Sequence, residues 1–215
     1  VKTLALIVRR PGLTRDEFRA HYETQHAPLA LPLMHGLVCY VRNHVMQELH
    51  GAASFDAATE FTYRDAASLR AVVARLATPL GDAVLRDELR FMDKPRNRFF
   101  EVREVAETGI RDSGAPLACL VLAKRGVGQS AGEFAAEYAR GSLGLRDAVR
   151  GLRWWLHHDA LATFGEPPWD AATLLHAESP GSLAAWCGAR EREGTRVLAL
   201  SAVECETRLP AGGMP

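Results

Sequence analysis

The sequence predicts an α+β chain made of two copies of one unit, and three observations carry that reading. First, Phe55-Asp56-Ala57-Ala58-Thr59-Glu60-Phe61 lies over Trp169-Asp170-Ala171-Ala172-Thr173-Leu174-Leu175, in a register that runs without a gap to Ser68-Leu69 over Ser182-Leu183. Second, other landmarks recur in the same order, 114 to 116 residues apart: Arg9-Arg10 with Lys124-Arg125, Phe18 and Tyr22 with Phe134 and Tyr138, Gly36-Leu37 with Gly151-Leu152. Several landmarks in one order mark an internal duplication. Third, each copy carries the same start signal for its first helix. The copies are expected at 1–108 and 115–209, each of a usual small-domain size of roughly 100 residues. The joint falls near Ala106–Pro116, where turn and linker residues gather.

The elements follow in order. Thr3 to Arg10 is rich in Leu, Ile and Val and reads as a strand. Pro11-Gly12 breaks it. Thr14-x-x-Glu17 has the form of a capping box, with Leu13 and Phe18 placed as a hydrophobic staple. The helix runs through Phe18 and Tyr22, which share a face at i, i+4, towards Ala27-Pro28. Ser130-x-x-Glu133 and the pair Phe134–Tyr138 repeat the pattern. Leu37 to Val45 and Ala57 to Tyr63 read as strands, Ser68 to about Leu76 as a helix, and Asn97 to Val105 as the last strand. The order β-α-β-β-α-β is the ferredoxin-like split arrangement. Its sheet is covered by helices on one face, so the bare face needs a partner. Two such sheets facing one another would give an α+β barrel with a central cavity, and here one chain would supply both halves.

Composition narrows the function. The 215 residues are 47% hydrophobic and 24% charged, which suits a packed core and excludes a disordered chain. Lys+Arg and Asp+Glu both number 26, and no basic run occurs, so neither nucleic acid nor an anionic membrane surface is an expected partner. No stretch approaches the roughly 18 apolar residues of a membrane span. Arg exceeds Lys by 23 to 3, which reads as the composition of a GC-rich bacterial source. Cys39, Cys119, Cys187 and Cys205 form no C-x-x-C pair and read as reduced, buried small hydrophobes. The apolar N-terminal stretch is too short for a signal peptide, so a cytoplasmic location is expected. No G-x-G-x-x-G follows a strand and no P-loop is present, so no nucleotide cofactor is expected.

Strand parity places a polar wall, because alternate residues share a face. Tyr40, Arg42 and His44 share one face of their strand, and Glu60 and Thr62 share one face of theirs. Apolar Cys39, Val41 and Phe61 suit the helix-covered side, so Tyr40, Arg42, His44, Glu60 and Thr62 are expected to point into the barrel. There Arg42 or His44 would pair with Glu60, since a buried carboxylate is costly alone. The second copy offers Trp155, His157 and Asp159 at equivalent positions, with Leu174 and His176 opposite. A metal is the rival reading: His26, His44 and Glu60, or His157, His176 and Asp159, could make two His plus a carboxylate. Their spacing matches no metal motif, and no metal is assigned.

The run Arg9-Arg10-Pro11-Gly12-Leu13-Thr14-x-x-Glu17-Phe18-x-x-His21-Tyr22-x-x-x-His26-Ala27-Pro28-Leu29 resembles the EthD family. The likeness continues through Gly36-Leu37-x-x-Tyr40-Val41-x-Asn43-His44-Val45, Phe55-Asp56-x-x-x-Glu60-Phe61 and Asp87-Glu88-x-x-Phe91. The second half is similar only in its helix cap, Phe134, Tyr138 and the D-A-A-T strand; the position of His26 holds Ser142 there. The resemblance implies a dimeric α+β barrel and chemistry on small organic or polyketide-like compounds. It also implies that His26 stands at the mouth of the cavity. An imidazole titrates near neutral pH, so His26 can act as general acid or base.

The expectation is a cofactor-independent enzyme acting on a small apolar, aromatic or polyketide-like carbonyl substrate. His26, Tyr40, Arg42, His44 and Glu60 are its candidate catalytic residues, with Tyr40 or Arg42 stabilising a developing oxyanion. Tyr22, Thr62, Trp155, His157 and His176 are candidate substrate contacts. A dehydratase, cyclase or lyase step stands first and cofactor-free oxygenation second. A carrier for a small hydrophobic compound is the reading from another class. Whether the fused chain pairs again as a homodimer is open.

Overall fold

The computed structural model describes residues 1–111, 115–163 and 165–209, without the side chains of Ser142 and Leu143. The fold is α+β, and its strands pair antiparallel. The first run of elements is β1 (Lys2–Ile7), α1 (Arg15–His21), a π-turn (Tyr22–His26), α2 (Ala27–Ala30), β2 (Leu37–His50), β3 (Ala57–Tyr63), α3 (Ala66–Leu76), α4 (Asp82–Phe91) and β4 (Arg98–Gly109). The second is β5 (Leu117–Lys124), α5 (Ala131–Ala148), β6 (Trp154–Leu161), β7 (Ala171–Ala177), α6 (Leu183–Arg192) and β8 (Arg196–Arg208). Among the described residues no helix is long and apolar enough to cross a membrane. None of the four cysteines is in a disulfide. Cys119 and Cys187 are buried as expected, but Cys39 and Cys205 are only partly so.

The chain packs as two compact units. Of the described residues, one holds 1–44, 54–99 and 205–209, the other 45–53 and those between 100 and 204. In the first, β3 lies between β1 and β2. Phe18, Tyr22, Tyr40, Phe61, Leu69, Val72 and Phe91 belong to one buried cluster between that sheet and the helices. In the second, the order is β8-β5-β7-β6-β4. Its helix-side core holds Val121, Leu145, Trp155, Leu175, Leu183 and Cys187.

The landmarks shared by the two runs are shared contacts. Both capping boxes form: Glu17 N–H donates to Thr14 Oγ1 at 3.1 Å and Glu133 N–H to Ser130 Oγ at 3.2 Å, with each glutamate accepting from its cap backbone. Such a cap contributes about 1 kcal/mol. After β1, Arg9 clamps Asp56 through its backbone N–H and guanidinium, both at 3.0 Å. After β5, Arg125 does the same to Asp170, both at 2.9 Å. Tyr22 and Thr59 share a hydroxyl bond of 3.1 Å, Tyr138 and Thr173 one of 3.3 Å. Gly36 at φ 82° and Gly151 at φ 62° turn the chain into the next strand in a conformation glycine adopts without strain.

The structure departs from the expected boundaries in four places, and in one of them β2 runs on to His50, past the expected end at Val45. The Arg9 backbone donates to Asp56, so β1 stops at Ile7 and not at Arg10. The last strand of the first run continues through Gly109, into the stretch read as linker. After a register shift, Ala106 to Gly109 pair with His157 to Trp154. An additional helix, α4, fills the interval read only as a family motif.

A candidate general-base site in the first unit

His21 and His26 meet at one carboxylate because the first helix widens. α1 passes directly into the π-turn, where the Ala27 N–H reaches back to Tyr22 O. In an α-helix, residues five apart point roughly 140° away from each other. A turn closed by an i→i+5 bond brings them to one side. Asp87 on α4 receives both rings: His21 Nε2 lies 2.9 Å from Oδ1 and His26 Nδ1 lies 3.0 Å from Oδ2. Asp87 and His26 are buried, and the His21 side chain is 26% exposed. Phe91, one turn along α4, seats both imidazoles, with ring centroids 4.7 Å from His21 and 4.9 Å from His26.

That arrangement fixes the His26 tautomer. An ionised carboxylate only accepts, so Nδ1 carries the hydrogen and Nε2 keeps the lone pair. Burial pulls the His26 pKa below its ordinary value, against the raising effects of the Asp87 bond and the charges of Glu88 and Asp87. The ring is therefore neutral at pH 7. Among the described residues nothing bonds Nε2.

His26 lines a cavity of about 270 Å³. Asp87 holds Nδ1 and lies outside the lining, which leaves Nε2 as the ring nitrogen available to the cavity. One wall is a ladder of rings. Tyr40 and Phe61 stack at 4.9 Å and 25°, and Phe61 and Tyr63 at 6.2 Å and 13°. Leu69, Val72 and Leu76 of α3 and Val84 of α4 also line the cavity. Tyr22 stands beside His26, its ring edge-on at 5.4 Å. Glu88, Lys94, Asn97 and Arg98 complete the polar part of the lining. The volume sits just under the roughly 300–1,000 Å³ of drug-sized ligand sites, so the cavity suits a small, flat, largely apolar compound.

The polar wall expected from strand parity is divided between the two faces of the sheet. Val41 lies opposite Glu60, and Arg42 opposite Thr59. Tyr40, Arg42 and His44 are thus on the helix side with Thr59 and Phe61, whereas Glu60 and Thr62 are on the other face. The helix side can bury a cation because the π-turn supplies an anion. Glu23 accepts from Arg42 Nη2 at 2.7 Å and Nε at 2.9 Å, and lies 2.6 Å from His44 Nε2. Burial alone would raise the Glu23 pKa, but the bonds from His44 and Arg42 outweigh it and hold it at about 2. Arg42 also donates to Tyr40 O and to Thr207 Oγ1 at 3.1 and 3.0 Å. The expected pairing of Arg42 or His44 with Glu60 is therefore corrected: Glu60 instead meets Lys2 Nζ at 2.9 Å and Asn43 Nδ2 at 3.0 Å.

Of the expected catalytic set, only His26 and Tyr40 share the cavity, with Tyr22 as a third expected contact. Tyr40 donates its hydroxyl to Tyr22, 3.1 Å away, and burial raises both phenol pKa values. The Tyr40 hydroxyl is thus engaged, and Arg42 lies outside the lining. Asp87 is the principal residue that sequence reasoning missed. It stood in the family-like stretch Asp87-Glu88-x-x-Phe91, but nothing local tied that stretch to His26.

The second unit shows the same division. Trp155 and His157 lie on the helix side, where His157 Nδ1 is 3.1 Å from Thr173 Oγ1. His176 is opposite Trp154, on the other face, 3.2 Å from Glu204 Oε2. Trp155 fills the helix-side core and lines no part of the His26 cavity. Ser142, at the position of His26, has a side chain outside the described residues. The two metal triads weighed from sequence do not form. The one group of three metal-type donors among the described residues is Glu23, His44 and Cys205. A guanidinium already occupies both Glu23 oxygens there, a poor setting for a second cation.

Residues 10–95 match the EthD domain model. No curated protein matches the chain in sequence. Among solved structures, an anthrone oxidase-like protein is similar, with a TM-score of 0.67 and 11% identity over 96% of this chain and 92% of its own. A candidate monooxygenase from Lactobacillus acidophilus NCFM is similar with a TM-score of 0.52 and 10% identity, over 97% of this chain and 98% of its own. A second, from Fusobacterium nucleatum, has a TM-score of 0.52 and 8% identity, over 99% and 94%. These likenesses are likenesses of fold.

Proposed function

From the premise that the chain carries an EthD domain over residues 10–95, we propose that it is an enzyme whose His26 removes a proton from a small, flat carbonyl or phenolic compound. One observation carries the reading: a buried, neutral imidazole, fixed through Nδ1 by Asp87, offers Nε2 to an apolar cavity walled by aromatic rings. The C–H or O–H bond breaks, its electron pair stays on the substrate, and the proton goes to Nε2. Asp87 then stabilises the imidazolium across the 3.0 Å contact. The anion left behind is electron-rich enough for dioxygen to oxidise. For a methylene beside a conjugated carbonyl, CH₂ and O₂ become C=O and H₂O. The oxidase and monooxygenase names of the similar folds favour this outcome over dehydration or cyclisation.

The tandem reading belongs to the same proposal: 1–108 and 115–209 are two copies of a ferredoxin-like unit, the first reactive and the second diverged. The repeated caps, Arg–Asp clamps and Tyr–Thr bonds support it. The test is turnover of anthrone in air, followed by dioxygen uptake and ketone formation, for the wild-type chain and His26→Gln. Loss of turnover in the variant is expected. Turnover that persists without dioxygen moves the chemistry to dehydration or cyclisation. Equal binding without turnover in both proteins leaves a carrier.

A further inference from the structure

Charge must go somewhere when His26 takes a proton, and the cavity lining contains one cation built for it. The sequence offered Tyr40 and Arg42 for a developing oxyanion. The Tyr40 hydroxyl is given to Tyr22, and Arg42 is spent on Glu23, Thr207 and the Tyr40 carbonyl. Lys94 remains. It lines the same cavity as His26, and its ammonium is held by the Glu88 carboxylate, which lines it too. Arg98, the other cation of the lining, is turned by its Nη1 onto the carbonyls of Pro95 and Asn97. Glu88 follows Asp87 directly in α4, so two adjacent carboxylates hold the two working groups: Asp87 the base and Glu88 the ammonium.

We propose that Lys94, positioned by Glu88, stabilises the oxyanion that forms on the substrate when His26 removes its proton. The inference rests on the general-base reading and deepens it: the substrate must carry the oxygen that accepts this charge, as an enolisable ketone or a phenol does. An ammonium brings three donors and a full charge, and one already held in place needs no reorganisation when the oxyanion forms. Its partner Glu88 keeps it in place before the substrate arrives.

The experiment uses 4-nitrophenol, whose colour reports whether its hydroxyl is ionised. The probe is titrated, bound to the wild-type chain and to Lys94→Met, Lys94→Arg and His26→Gln. Bound to the wild type, the probe is expected to ionise more readily than in water. Lys94→Met should lower its ionisation constant roughly tenfold, about one pKa unit. Lys94→Arg should keep it within about twofold. If Lys94→Met matches the wild type while His26→Gln weakens ionisation, Lys94 has no such role and the base reading stands. If His26→Gln matches the wild type while Lys94→Met weakens ionisation, the base reading falls and Lys94 stands. A probe that does not bind up to its solubility limit overturns the proposal.

Discussion

Replacing Asp87 by Asn tests the His26 geometry at its root. The carboxylate accepts from Nδ1 at 3.0 Å and from His21 Nε2 at 2.9 Å, with Asp87 and His26 both buried. A hydrogen bond to a charged partner contributes about 1.5–3 kcal/mol. Removing that charge should weaken His26 as a base. The sign is definite: the carboxylate raises the His26 pKa against burial, so its loss takes an already lowered value further down. Asn also presents an amide N–H on one side. Where that group faces His26, the ring must accept at Nδ1 and carry its hydrogen on Nε2, which removes the lone pair from the cavity. Nitrogen-15 NMR of the imidazoles reads both effects without a substrate. Nδ1–H is expected in the wild type, and a mixture or inversion with a lower titration midpoint in Asp87→Asn. An unchanged tautomer together with an unchanged midpoint would refute the assignment of Asp87 as the group that sets His26.

Glu23→Gln should flatten the acid limb of stability. The folded pKa of about 2 is depressed from 4.5, so the stabilisation is fully present above pH 4.5 and is lost as pH falls towards 2. Urea unfolding should show a deficit of about 3 kcal/mol at most at pH 7, vanishing near pH 2. Gly36→Ala should cost about 1–2 kcal/mol or more, since φ is 82° and the added Cβ would collide with the Ser68 side chain; a thermal melt measures it. Val84→Phe should fill part of the 270 Å³ cavity, weakening 4-nitrophenol binding at least tenfold while the melting temperature stays within a few degrees. Tyr40→Phe removes the donor to Tyr22 and should lower stability by about 1 kcal/mol, read by the same urea titration.

The recurring landmarks were legible because they rest on local chemistry that sequence displays openly. A capping box and a glycine with positive φ are short-range devices, and both runs of elements keep them. Face assignment failed for a physical reason. Parity groups Tyr40, Arg42 and His44 correctly but does not say which face the helices cover. Hydrophobicity pointed the wrong way, because Glu23 lets a cation and an imidazole sit under the helices, while Lys2 and Asn43 satisfy Glu60 on the other side. Asp87 was hidden for a different reason. Its partner is 61 residues away, and no spacing rule connects a helix end to a later helix. His26 stood out through family likeness, and its partner came to light only in the fold.

The widened turn at Tyr22–His26 has an arithmetical consequence. Tyr22 to Gly36 spans one residue more than Tyr138 to Gly151, and the later segment folds as uninterrupted α-helix up to Ala148. A single added amino acid is what converts an ordinary coil of helix into one closed over five residues. Deleting Thr24 or Gln25 would restore the shorter count and swing the imidazole by about 100° away from its carboxylate.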